Sequence, residues 1–208
     1  MDYVYEDFRN ALVILRSRPA WIDLEGSIRG ITPERIVGKQ RDLLTSRGTA
    51  PAGGQTAINA LFEDELDIED GWVQQPPLFR QRELRKWKMD FLRERVGVEV
   101  SFNHAEAISW QFTRLNIAGE SVRVREESRI DVGVVICATH GLKRWARMDS
   151  AVGTFDAFKA WLREMRPILP IPMLLVGLDS ETWPQTDVFR GTRAGRATRQ
   201  AQLELIEG

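Results

Sequence analysis

Cysteine occurs once in the 208 residues, at Cys137, and histidine only twice, at His104 and His140. A disulfide framework is thereby excluded, as is a zinc site of closely spaced thiolates or imidazoles. Cys137 lies in the apolar run VGVVICAT, where a thiol packs as a small hydrophobe. No stretch approaches the roughly 18 consecutive apolar residues that span a bilayer. The N-terminus, MDYVYEDFRN, lacks the basic-then-apolar order of a signal peptide. These absences predict a cytoplasmic protein with no membrane partner. Excess charge is missing as well: 29 basic against 30 acidic residues leave a net −1. Any nucleic-acid binding must then rest on local positive charge rather than on an overall field. Lysine is scarce, so arginine carries most of the basic charge. Arginine is the better bidentate partner for phosphate and guanine, although a GC-rich genome produces the same bias. What is present is a globular balance, 43% hydrophobic and 28% charged, in a chain long enough for one cored domain.

Tyr3, Phe8, Leu12 and Leu15 fall near helical spacing, and Thr32-Pro33-Glu34-Arg35 is an N-cap followed by proline at the first helical position. Two helices are predicted in the first fifty residues. Ser46 to Gly54, SRGTAPAGG, reads as a loop that either contacts a ligand as an arm or merely connects. A helix follows from Gln55, carrying Ile58, Leu61 and Phe62, and its acidic continuation through Glu63, Asp64, Glu65, Asp67, Glu69 and Asp70 has carboxylates enough for a metal cluster but more often reads as a solvated face.

After Gln74-Gln75-Pro76-Pro77 the pattern changes. Trp87, Met89 and Phe91 alternate with Lys88 and Asp90, Arg93-Glu94-Arg95 is polar enough to turn, and Val96 to Phe102 alternates again: two strands. Ala105, Ile108, Phe112 and Leu115 share a helical face. Ile130 to Ala138 and Ile171 to Leu178 are buried strands, separated by a helix marked by Phe155, Phe158, Trp161 and Leu162. This order predicts an α/β fold, a mixed sheet covered by helices. The expected organisation is a single domain over 1–185, mainly helical to residue 75 with the α/β core at 76–180. A basic tail over 186–208 follows, with Arg190, Arg193, Arg196 and Arg199 at every third position.

Asp90 and Glu99 sit on consecutive strands with a turn between them. On an antiparallel hairpin that spacing brings both carboxylates to one edge of the sheet, where hard oxygens suit Mg²⁺; two solvent-facing acids are the plainer reading. Glu99 favours the first, because in VGVEVSF a carboxylate among apolar neighbours is costly without a cation or hydrogen bonds.

The segment MDFLRERVGVEVSFNHAEAISWQFTRLNIA, followed by IDVGVVICAT and IPMLLVGLD, resembles the restriction endonucleases of the BglII/BstYI group, which are related to BamHI within the PD-(D/E)xK superfamily. The resemblance runs over about residues 71–179 and is sharpest from Asp90 to Asn103. It implies a restriction-endonuclease-like sheet, Mg²⁺-dependent hydrolysis of double-stranded DNA, and a homodimer that cuts both strands of a short palindrome, a six-base one centred on GATC. Asp90 and Glu99 fall on the metal-binding carboxylates. Ser101 falls on the third catalytic position, where many of these enzymes carry lysine and this group glutamate or glutamine. Serine is too weak a base for that role, so it positions water, Lys88 substitutes, or activity is reduced. Gln75 corresponds loosely to a further polar residue of the site.

Asn103 and His104 fall where the group reads base edges; a helix N-cap and an exposed helix start are their alternatives. Lys143, Arg144, Arg147, Asp149, Ser150 and Thr154 fall on a recognition loop, with a plain surface loop and a Thr154 cap as the alternative. Two other functions stay open on this reading: a DNA-binding module that has lost catalysis, and a repair or mobile-element nuclease of low sequence preference. The helix from Gln55 to Glu69 is the candidate dimer surface.

Overall fold

The computed structural model describes residues 1–47, 53–180 and 182–189. The predicted loop at 46–54 and basic tail therefore lie mostly outside the described residues. A six-stranded mixed sheet forms the centre, in the order β1 (Asp2–Phe8), β6 (Met173–Asp179), β5 (Val132–Ala138), β4 (Val96–Val100), β3 (Phe91–Arg93), β2 (Val73–Gln74). Strands β4, β5 and β6 are parallel; β1, β3 and β2 join them antiparallel. All seven residues of β5 are buried, which explains the unbroken apolar run Val132–Ala138.

Each face of the sheet carries a core. Helices α1 (Ala11–Leu15), α2 (Pro19–Gly30), α3 (Pro33–Arg47), α4 (Gln55–Glu65) and α6 (His140–Trp145) pack on Val96, Val98, Val134 and Ile136. Helices α5 (Ile108–Glu120) and α7 (Phe155–Met165) cover the other face, against Val135, Cys137 and Leu175. Gly133 permits the close seat of α5: a Cβ there would lie 2.9 Å from Leu115 Cδ1, so any side chain would push the helix away.

The structure corrects the reading of the N-terminus. Asp2–Phe8 is a strand rather than the start of a helix, and three helices rather than two follow before residue 48. Tyr3, Val4 and Tyr5 favour extended backbone, and β1 pairs through seven residues with β6. Arg9 and Asn10, both left-handed (φ 55° and 58°), then end the strand before α1. The segment Trp87–Phe91 is also shifted. Regular pairing in β3 begins at Phe91, while Pro76–Met89 forms an arm closed by Leu78 N–H to Trp87 O (2.9 Å) and Met89 N–H to Pro76 O (3.3 Å). Packing continues past residue 185, since Phe189 is buried against Trp145 and Asp187 pairs with Arg147.

Candidate active site

The turn between β3 and β4 decides the site. Glu94 and Arg95 both adopt positive φ (49° and 62°), as a two-residue type I′ hairpin requires, and the register then sets Phe91 opposite Val98. Carried one pair outward, that register brings Asp90 against Glu99. Asp90 is held at both oxygens: the Val100 N–H donates to Oδ2 (2.8 Å) and the Gln75 amide donates to Oδ1 (3.1 Å). Gln75 also donates its backbone N–H to Asp90 O (2.8 Å) from a left-handed conformation (φ 51°).

Glu99 is fully buried on the α5 side of the sheet. Its Oε2 accepts from Arg114 Nη1 at 2.7 Å, and its Oε1 has no hydrogen-bond partner. Burial pushes the Glu99 carboxyl well above its ordinary range; the neighbouring Asp90 adds to this and Arg114 opposes it. Asp90 is raised as well, chiefly by desolvation, with the Val100 N–H and Arg114 partly offsetting that effect. Two acids that face each other with one buried oxygen unpaired form a site short of positive charge, and a divalent cation fits that deficit. Among the described residues no cluster of three or more His, Cys, Asp or Glu exists to hold a metal. A cation at this pair would draw its remaining ligands from outside the carboxylates, as suits Mg²⁺, which keeps several waters.

Ser101 lies two residues beyond Glu99 on the same face, 1% exposed, with its backbone N–H donating to Ile136 O (2.8 Å). Lys88, the proposed substitute base, is exposed on the arm. Helix α4 contributes what sequence reading missed: Asn59 and Glu63 line a cavity of about 100 Å³ with Gln74, Gln75, Asp90, Phe91 and Val100. Arg114 was missed too, because nothing in its helical spacing distinguishes it from a surface cation. The acidic tract is not simply solvated, since Asp64 and Glu65 pair with Lys39 and Arg35 of α3.

The recognition residues divide in two. Asn103 and His104 are exposed and paired to the loop before α7, through Gly153 N–H to Asn103 O (3.0 Å) and Ala105 N–H to Ala151 O (2.8 Å). His104, not Asn103, takes the N-cap position, without a side-chain cap bond. Asp149 and Ser150 are exposed beside them, with Arg144 and Arg147. Lys143 and Thr154 serve the loop itself. Lys143 Nζ donates to the Ser150 and Val152 carbonyls (2.7 and 2.6 Å), and Thr154 is buried at the N-cap of α7. Lys143, Arg144 and Trp145 belong to α6 rather than to a loop, because Thr139 Oγ1 caps that helix by accepting the Leu142 N–H (3.2 Å). Trp145 is buried, donating Nε1–H to Pro184 O.

A mixed sheet flanked by helices, with paired carboxylates at a hairpin beside its parallel strands, is the architecture of a restriction-endonuclease-type nuclease. The family described as "Restriction endonuclease BglII/BglIII" matches residues 3–178, and the chain belongs to that family. It is accordingly a type II restriction endonuclease, a hydrolase, of a family whose members depend in general on divalent metal. Among solved structures it is similar to restriction endonuclease BglII complexed with a DNA 16-mer (TM-score 0.65, 16% identity, 88% of this chain and 79% of that one). Free BglII is also similar (TM-score 0.58, 15% identity, 88% and 82%). No curated protein sequence matches the chain. Among the described residues no helix is long and apolar enough to cross a membrane.

Proposed function

We propose that the protein cleaves double-stranded DNA at a short palindrome, as a homodimer, with Mg²⁺ held by Asp90 and Glu99. The observation that carries this reading is the facing carboxylate pair with the unpartnered Glu99 Oε1. Asp90 and Glu99 would hold the divalent cation, which when bound would supply Lewis-acid activation of water and offset the negative charge that builds up in phosphodiester hydrolysis. The chain's own groups do the rest. The Val100 N–H and Gln75 fix Asp90, and Arg114 orients Glu99 and favours its ionised form. The Ser101 hydroxyl holds water without supplying charge. Asn103, His104, Arg144, Arg147, Asp149 and Ser150 form the exposed rim that meets bases and phosphates, while Lys143 and Thr154 brace it. The similarity to a BglII–DNA complex supports DNA as the substrate. One domain carries this activity, in the cytoplasm.

The test is cleavage of unmethylated plasmid with Mg²⁺. Discrete fragments are expected; a smear would point to a nuclease of low preference, and intact plasmid to a binding module. Two-fold symmetric protection of the site is expected in a footprint, since one centre cuts one strand.

Ser101→Ala is expected to slow cleavage by on the order of 10- to 100-fold, about 1.4–2.7 kcal/mol of barrier. Single-turnover rates across Mg²⁺ concentrations measure this. Parental rates throughout would make the serine structural.

A further inference from the structure

Many cations of the described chain are already neutralised: Arg18, Arg35, Lys39, Arg93, Arg95, Arg129 and Lys159 each sit in an ion pair. On the arm Pro76–Met89 cations without such a partner are concentrated in one short segment. Its sequence Phe79–Lys88, FRQRELRKWK, carries five cations and one acid. Among the described residues Arg85, Lys86 and Lys88 make no ion pair. These side chains are exposed, yet the backbone under them is built rather than loose. Leu78 and Met89 are fully buried anchors, Ser128 Oγ–H donates to Pro77 O (2.9 Å), and Trp87 lies edge-on between Phe79 and Trp110.

The cations line one concavity of about 690 Å³, formed by Arg80, Arg85, Lys86 and Lys88 of the arm facing Arg125 and Glu127. Glu127 is spoken for by Arg125, which donates to it through Nε and Nη2 (2.8 and 2.5 Å). Gln75 lines this groove and the Asp90 cavity alike, so the two adjoin at that residue. Concentrated unpaired positive charge on a rigid surface running from a phosphodiester-cleaving centre matches a polyanionic strand in charge and in path.

Resting on the function proposed above, we propose that this groove seats the sugar–phosphate backbone flanking the scissile phosphate, with Arg85, Lys86 and Lys88 as sequence-independent phosphate contacts. The groove therefore contributes affinity and register along the strand, whereas base choice belongs to the Asn103–Ser150 rim.

The experiment measures binding of the full chain in EDTA to a duplex containing its cleavage site and to an unrelated duplex, over a series of salt concentrations. Each phosphate contact contributes about 0.9 to the slope of log K against log salt, so R85A/K86A/K88A is expected to lower the slope by nearly three. Binding to both duplexes should weaken by the same factor. R163A/R166A, on the α7 side of the molecule, should leave the slope as in the parent. Thermal melts check folding, and the single variants K86A and K88A, each expected to lower the slope by about one, stand in should the triple variant melt early. If the parent cuts and binds DNA while the arm variants keep its slope, the groove assignment is overturned and the function stands. Loss confined to the site-containing duplex would also overturn it, because the arm would then read sequence. If the parent neither binds nor cuts, both proposals fall.

Discussion

Asp90→Asn and Glu99→Gln are each expected to reduce cleavage by on the order of 10³-fold or more, about 4 kcal/mol of barrier, while DNA binding is kept or tightened. Each change removes one charge of the carboxylate pair at nearly constant volume, and an amide is a poor ligand for a hard dication. Single-turnover cleavage at saturating Mg²⁺ reads the effect, and parental turnover by either variant would displace the pair from the site. Glu99→Gln should have a second, opposite consequence. The folded-state pKa of Glu99 lies above the unfolded value near 4.3, so the native protein holds that proton longer than the unfolded chain does. The stabilising contribution of the protonated form is complete below the ordinary carboxylate range and is lost as pH rises through the raised native value. Without metal, ionising Glu99 in the native protein is thus a cost. Glutamine removes it and still accepts from Arg114. In chelator the variant is expected to melt about 2–4 °C higher, equivalent to roughly 1 kcal/mol for a chain of this size. Loss of activity with gain of stability is the signature of a site held against its own repulsion.

Arg114→Met is expected to slow cleavage at neutral pH by roughly 10- to 100-fold, and to move the acid limb of the pH–rate profile to higher pH. The sign follows from geometry. Arg114 donates to Glu99 Oε2 at 2.7 Å and opposes the upward push of burial, so its removal raises the Glu99 pKa further and lowers the ionised fraction at any given pH. Part of the rate should return as pH is raised. Arg114→Lys keeps the charge and should keep the limb nearer its parental position. A uniform rate loss at every pH would indicate that Arg114 only packs α5. The group left without its partner is Glu99, only 1% exposed, and the variant is expected to keep it protonated rather than carry an unpaired buried charge.

Asp90, Glu99 and the turn between them were legible in the sequence because the relevant information is local. Alternation marks two strands, Arg93-Glu94-Arg95 marks the turn, and nine positions of separation then close on one edge of the sheet. The buried runs Val132–Ala138 and Met173–Asp179 were equally plain, since parallel central strands are apolar on both faces. Strand β1 was not legible. Its apolar positions fit either period over a short span, and what selects the strand is an open edge of β6, made 170 residues later in the chain.

By itself, then, the sequence determined the α/β class, the carboxylate pair and the succession of strands and helices after residue 90, which rest on spacing and hydrophobic period. Only the tertiary structure decided that Arg114 answers Glu99, that α4 brings Asn59 and Glu63 to Asp90, that Lys143 braces a loop, and that Arg80, Arg85, Lys86 and Lys88 line a single groove. Each of these joins residues distant in the chain or chooses among identical-looking surface charges. That choice depends on which faces meet once the sheet and its helices pack, and no local pattern encodes it.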